Sequence, residues 1–340
     1  MKRFLSLVIA LILLTGCGIH TSKAESKIYE ATFLTLFDTV TTIKGAAKSK
    51  EAFSATAQKV HDELLFYHQL FDIYNDYDGI NNLKTVNDAA GEYPVEVDKS
   101  IIELLLDCKR YYELTDGKVN VAMGSVLQLW HAARNDGIND PANSRLPELS
   151  DLQAAAEHTA FDAVIIDETE STVFITDAEV RLDVGAVAKG WSAQRVAEAA
   201  PSGLLLSVGG NVCSTGPKDE NGTPWVVGIN DPNGGNYLHT LYVYGGSIVT
   251  SGDYQRYYVV DGALYHHIID PETLYPSTYW RSVTIICNDS GLADALSTAL
   301  FLLPLEEGQK LLSKIDAEAM WVDAEENRHY SSGFQDMIRT

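Results

Sequence analysis

RLDVGAVAKG, residues 181–190, followed at once by WSAQRVAEAA, residues 191–200, is the stretch on which the reading of this chain turns. An apolar run with a polar break, Val173 to Leu182, delivers the backbone to Asp183. Gly185, Ala186 and Ala188 then keep side chains small where a helix is about to begin. A turn that opens a helix presents free N–H groups and the positive end of the dipole, which suits phosphate. Lys189 adds a point charge for the same anion, and Asp183 or bare carbonyls can hold a cation against it. The same letters also spell an ordinary strand-to-helix turn with a solvated lysine.

The amino terminus addresses compartment. Lys2 and Arg3 precede an apolar core from Phe4 to Leu14, and Leu14-Thr15-Gly16-Cys17 follows. That run is too short to span a bilayer and has signal-peptide proportions. Its end resembles a lipobox, which implies cleavage before Cys17 and its acylation, for example with palmitate. A plain signal peptide with an incidental cysteine has similar letters. Residues 1–16 are thus expected to be a lipoprotein signal, 17–27 a lipidated tether, and 28–340 one domain. The mature protein is expected to be extracytoplasmic, held at the cell membrane by lipid.

The body is 46% hydrophobic by the whole-chain count, enough for a sizeable core. Net charge is −22, two units more negative once Lys2 and Arg3 leave, which argues against nucleic acid as a partner. A phosphate ligand held against that field favours a bridging divalent cation. Cys108, Cys213 and Cys287 show no metal-ligand spacing and, being three, cannot all pair; buried thiols are expected.

Strands and helices mix along the chain, so a mixed α/β (α+β) layer is expected. Residues 28–44 read as extended, interrupted by Asp38-Thr39, and 50–71 as a helix. A polar loop of ordinary turn chemistry follows at 73–87, then a helix over 99–114 capped by Asp98. A short strand should run into Ala122-Met123-Gly124, where close backbone approach is possible beside a thioether that packs on a flat ring or in a core. Residues 132–147 read as loop, 149–158 as helix, and 162–167 with 172–176 as a hairpin. LLLSVGGNVCSTG reads as one buried strand ending in Gly209-Gly210-Asn211, which suits a backbone bent against a ligand or a plain tight turn. Strands follow at 225–230 and 237–244. Thr250, Ser251, Asp253, Tyr254, Arg256, His266, His267 and Asp270 then crowd a hairpin whose turn is Asp261-Gly262. A helix from 293 to 303 places Asp294 and Thr298 on one face. That pair offers hard oxygens to magnesium, although a dipole-facing aspartate and a back-bonded threonine have the same spacing. A helix over 306–315 and strands at 317–322 and 328–331 close the chain.

Taken in order, these pieces resemble the ApbE family, the FAD:protein FMN transferases, over about residues 30–325. The resemblance rests on Phe37-Asp38-Thr39, Thr115-Asp116-Gly117, Leu182 to Gly190, Val208-Gly209-Gly210-Asn211, Thr250 to Tyr254, His267 to Pro271 and Ala293 to Thr298. It implies a T-fold-like body that binds FAD and magnesium and transfers the FMN half to a threonine or serine hydroxyl of an acceptor flavoprotein, releasing AMP. By this likeness the Ala186 carbonyl, Asp294 and Thr298 hold the metal. Asp183, Lys189 and Asn211 belong to the FAD site, with Met123 and Gly124 near the flavin. His267 is the first candidate base, its ordinary pKa lying near ambient pH, and Asp253 the second. The same site also accommodates an FAD pyrophosphatase or a non-catalytic FAD-binding lipoprotein. Three departures stand out: Leu274 replaces the glycine expected after Asp270-Pro271-Glu272-Thr273, Asn120 replaces a carboxylate, and Ile73-Tyr74-Asn75 stands in place of the family's serine-rich FAD-contacting loop.

Overall fold

The computed structural model describes residues 26–339. Cys17 and the signal segment lie outside the described residues. The first strands, β1 (Lys27–Phe33) and β2 (Thr41–Ala47), form an antiparallel hairpin rather than one extended stretch. A 3₁₀ turn at Leu36–Asp38 joins them, with Phe37 and Asp38 both in the left-handed region at φ 52°. Helix α1 (Lys50–Phe71) starts where Ser49 accepts a hydrogen bond from the Ala52 N–H. Within the stretch read as loop lies α2 (Leu83–Asp88), nucleated by a reciprocal cap between Asn82 and Thr85. After β3 (Val95–Glu96), α3 (Lys99–Leu114) begins as expected on Asp98.

Among the described residues no strand runs into Ala122-Met123-Gly124. Helix α4 (Gly124–Asn139) starts there and absorbs much of the expected loop. Gly137 does not break it; a Cβ at that position would meet Ser144 Oγ at 2.5 Å and Tyr258 at 2.7 Å, so the glycine serves close packing. Then come α5 (Leu149–Ala156), β4 (Val164–Asp167) and β5 (Thr172–Ile175). The extended run ends at Ile175, and a turn held by Asp177 precedes the 181–190 stretch. Helix α6 (Ala188–Ala199) follows. The LLLSVGGNVCSTG segment is two strands, β6 (Leu204–Val208) and β7 (Asn211–Ser214), hinged at Gly209 and Gly210 with φ of 59° and 93°.

Strands β8 (Trp225–Asn230) and β9 (Tyr237–Val243) pair, as do β11 (Tyr257–Val260) and β12 (Ala263–His266); between the two hairpins runs β10 (Gly246–Gly252). The chain closes with β13 (Ser282–Cys287), α7 (Ser290–Phe301), α8 (Leu305–Leu312), β14 (Ala317–Val322) and β15 (Arg328–Tyr330).

One eight-stranded sheet, ordered β1-β2-β6-β7-β10-β13-β14-β15, carries the architecture, and every pairing in it is antiparallel. Strand periodicity sorts its side chains cleanly. Leu206, Val249, Ile285 and Trp321 point to the face covered by α1, α6 and α7; Leu205, Ile248, Ile286 and Met320 point to the face covered by the β8–β9 hairpin. Cys108, Cys213 and Cys287 are buried free thiols, as expected. No helix of the described residues is long and apolar enough to cross a membrane.

Candidate active site

The 181–190 stretch is fixed by partners remote in sequence. Buried Asn87 reads the Leu182 backbone in both directions, donating to its carbonyl at 3.0 Å and accepting its N–H at 2.7 Å. The Asp183 N–H donates to the Val121 carbonyl, and the Gly124 N–H to the Arg181 carbonyl. Gly124 therefore serves packing: a Cβ there would lie 2.5 Å from the Arg181 oxygen. Within the turn, the Asp183 carboxylate accepts the Gly185 N–H at 2.9 Å, leaving Gly185 and Ala186 at the wall of a cavity of about 670 Å³.

The closest approach is made one turn later. Gly190 lies so near α7 that a Cβ would meet the Ser290 carbonyl at 2.2 Å and the Asp294 Cβ at 2.5 Å. This contact lets the Gly190 N–H donate to Asp294 Oδ2 at 2.8 Å, while Lys189 Nζ stands 3.8 Å from the same oxygen. Asp294 is not the cap of α7; Asp289 takes that role, accepting the Leu292 N–H. Nor is Thr298 the hydroxyl that bonds back to the helix; Ser297 is, onto the Asp294 carbonyl at 2.8 Å. Asp294, Thr298 and Ala186 all line the cavity.

Burial pushes the Asp294 carboxyl above the ordinary range, against Lys189, the Gly190 N–H and Asn211, which pull it down. Beside it the buried Asn211 Nδ2 is close enough to favour the carboxylate but makes no hydrogen bond of good geometry. A nearly enclosed carboxylate with one ammonium at 3.8 Å, and an amide left unpaired, fits a site that is completed by a ligand. Among the described residues no three His, Cys, Asp or Glu side chains converge. A metal here would be held by one carboxylate, a hydroxyl and a carbonyl, together with ligand oxygens. That hard donor set suits magnesium, which dehydrates reluctantly and commonly takes one or two carboxylates plus phosphate.

The two adjacent histidines divide by strand alternation. His266 is buried with both ring nitrogens engaged, Nε2 donating to the Ser277 carbonyl at 2.7 Å and Nδ1 accepting the Ile268 N–H at 3.2 Å. His267 lines the cavity, and its Nδ1 lies 3.2 Å from the Arg256 carbonyl. Nδ1 therefore carries the proton, which leaves Nε2 with the free lone pair. Burial, with Arg256, His266, Lys189 and Arg134 around it, lowers the imidazole to about 3 in the free protein. An ordinary pKa near ambient pH is thus not what qualifies His267. Its neutral ring is ready to accept a proton once an anion offsets those cations.

Asp253 is not brought into the cavity lining. Its carboxylate is tied to Arg281 Nε at 2.7 Å and its N–H to the Arg281 carbonyl. Burial raises its pKa in spite of that partner. Met123, Asp183, Lys189, Asn211, His267, Ala186, Asp294 and Thr298 do meet around the one cavity.

Of the remaining lining residues, the sequence marks Tyr74 as part of a departure from the family's FAD-contacting loop and Phe37 and Arg256 as members of longer motifs, but gives no such sign of His131 or Lys118. Tyr74 Oη lies 2.7 Å from His131 Nδ1, at the end of a loop organised by Asp72, which accepts from the Tyr74 and Asn75 N–H groups and the Tyr77 hydroxyl. An Asp followed by aromatics was the available signal for that loop. His131 gave none, being an isolated histidine beside a stretch read as loop. Lys118, Phe37 and Arg256 also reach the cavity.

A family model described as the ApbE family matches residues 37–321. The FAD:protein FMN transferase of Treponema pallidum (strain Nichols) is 34% identical over 277 residues, covering 76% of this chain and 75% of the relative. That of Klebsiella pneumoniae (strain 342) is 33% identical over 276 residues, covering 77% and 83%. Among solved structures, the ApbE protein of Thermotoga maritima superposes with a TM-score of 0.81 at 30% identity, covering 92% of this chain and all of that one. The flavin transferase ApbE of Vibrio cholerae shares the fold, with a TM-score of 0.76 at 22% identity.

Proposed function

The chain belongs to the ApbE family, and from that premise we propose that it is a magnesium-dependent FAD:protein FMN transferase acting on a threonine or serine hydroxyl of an acceptor flavoprotein. The observation that carries this reading is the meeting of Lys189, Asp294 and His267 around a single cavity, although they lie on three different elements. Lys189 binds and orients the diphosphate, since the Ala188, Gly190 and Trp191 N–H groups are already engaged by Val184, Asp294 and Val187. Asp294, Thr298 and the Ala186 carbonyl would hold magnesium, which when bound neutralises the diphosphate and eases departure of AMP.

His267 takes the hydroxyl proton at Nε2. The acceptor oxygen then bonds to the FMN phosphorus, the phosphoric anhydride bond breaks, and AMP leaves with the electron pair. The Arg256 carbonyl keeps Nδ1 protonated and so keeps Nε2 aimed as an acceptor. The anionic substrate offsets the cations that depress this imidazole, so basicity rises when substrate is present. Asp253 positions the 250–254 segment through Arg281 and does not touch the reacting atoms.

Purified protein with FAD, magnesium and a candidate acceptor domain, read by mass spectrometry, tests the proposal. An acceptor heavier by one FMN residue is the expected product. Free FMN and AMP would instead make water the acceptor, and intact FAD would leave a binding protein. The lipobox-like Leu14 to Cys17 supports a further reading, that the enzyme is an extracytoplasmic lipoprotein acting at the membrane surface. The full chain should then enter the detergent phase in phase partitioning, and Cys17→Ser should abolish this; equal partitioning of both would refute the anchor.

A further inference from the structure

Lys118 is a cavity-lining cation that neither the magnesium site nor the proton transfer uses. Its Nζ lies 2.8 Å from Glu272 Oε1 and 3.4 Å from Asp270 Oδ1, with the lysine side chain only 12% exposed. Glu272 is 75% exposed and so a weakly held partner. An ammonium has three donors, and these two carboxylates engage two of them. Burial works against the charge, yet Glu272 and Asp270 keep the group protonated above the usual lysine range.

Its surroundings suit a flat, largely apolar ring. Val119, Val121, Met123, Ile268 and Ile269 line the cavity nearby in sequence or next to Asp270. Asn120 is pinned in place, its Nδ2 donating to the Thr159 carbonyl and its Oδ1 accepting the Ala122 N–H. Lys118 is the charged side chain of the 118–123 stretch, and its ammonium keeps a donor to spare. Of the two rings of FAD, adenine presents at its pairing edge a single ring-nitrogen acceptor beside an amino donor, and that donor repels an ammonium. The pyrimidine edge of the isoalloxazine presents two carbonyl oxygens, which an ammonium matches.

We propose that Lys118 binds the pyrimidine edge of the flavin, fixing which end of FAD occupies the apolar part of the cavity. The inference rests on the FAD reading above and deepens it. It is tested on the full-length protein by titrating FAD and, separately, ADP-ribose, which keeps the diphosphate and lacks the flavin. Lys118→Met should weaken FAD about tenfold, the order expected for one charge-assisted hydrogen bond, and leave ADP-ribose unchanged. The reduction potential of bound FAD should move negative, because a cation beside the pyrimidine ring favours the electron-rich reduced flavin. Lys118→Arg should restore both properties. Lys118→Gln substitutes should the methionine variant not fold. Unchanged FAD affinity, an equal loss for ADP-ribose or an unmoved potential would each overturn the assignment. Wild-type protein that binds ADP-ribose and not FAD would sink the FAD reading itself, and this inference with it.

Discussion

At the scale of single residues, two side chains of the proposed site sit in environments that oppose their charged forms. Asp294 is pushed toward protonation by burial, and His267 toward neutrality by burial and by surrounding cations. Asp294→Ala is expected to abolish magnesium-dependent transfer, a loss of at least a hundredfold, since nothing else in the metal donor set is ionised. Single-turnover assays across a magnesium titration check this, and a variant with wild-type response would discredit the metal site. His267→Ala should lower the transfer rate about 10²–10⁴-fold, the usual worth of a general base, with FAD affinity within about twofold of wild type. Comparing single-turnover rate with FAD titration separates the two effects; an unchanged rate would remove His267 from the reaction. The sequence marks both residues as candidates through the family likeness, since the spacing of Asp294 and Thr298 alone fits a dipole-facing aspartate and a back-bonded threonine as well. The Asn87 amide that fixes Leu182 was not legible there, since no local pattern links residues 95 positions apart.

At the scale of elements, the 270–276 loop shows how this chain keeps a glycine-like backbone without the glycine. Leu274 holds φ at +63°, where a leucine costs about 1–2 kcal/mol. Its side chain is buried against Trp130, Val126 and Ile269, its N–H donates to the Asp270 carbonyl, and its carbonyl accepts from Trp130 Nε1 at 3.0 Å. Removing a buried leucine side chain costs about 2–5 kcal/mol, which exceeds the strain released. Leu274→Gly should therefore destabilise the protein by about 1–3 kcal/mol rather than relax it. A denaturant titration measures this, and a midpoint equal to or above wild type would show that strain dominates. The leucine at this position was visible in the sequence. Its packing cluster, which draws on α4 and the β11–β12 hairpin, was not. Elsewhere, strong local periodicity and caps placed α1 and α3 correctly, whereas α2 and the second half of α4 were read as loop. Their polar letters disguised helices whose stability comes from tertiary contacts.

Across the whole molecule, burial of histidines sets the response to acid. His131, His266 and His267 are held below the ordinary imidazole value, each chiefly by burial. Below about pH 6.5 the unfolded chain takes up protons that the folded one refuses, so folding stability falls with pH. Each fully neutral histidine contributes up to about 1.4 kcal/mol per pH unit in that window. Asp253 and Asp294 act in the opposite sense, because their folded values are raised and the folded state gains those protons first. Their window opens upward from the ordinary carboxylate value, so they offset part of the loss, and the three imidazoles outnumber these two carboxyls. The ligand-free protein should melt at a lower temperature at pH 5 than at pH 7, by scanning calorimetry. A higher melting temperature at pH 5 would contradict this balance.

The sequence by itself determined the mixed helix and sheet character, the family likeness and most of the site's chemical groups. Alternation, caps and short charged motifs are local properties, written within a few residues of one another. Only the tertiary structure decided that Gly124 and Asp253 serve packing and an ion pair, that Gly190 docks α6 on α7, and that Lys118 and Tyr74 reach the cavity. Those assignments depend on which segments the antiparallel sheet and its covering helices bring face to face, and on the burial that results. Distance in space and exclusion of water are set by the assembled fold, and no window of neighbouring residues contains them.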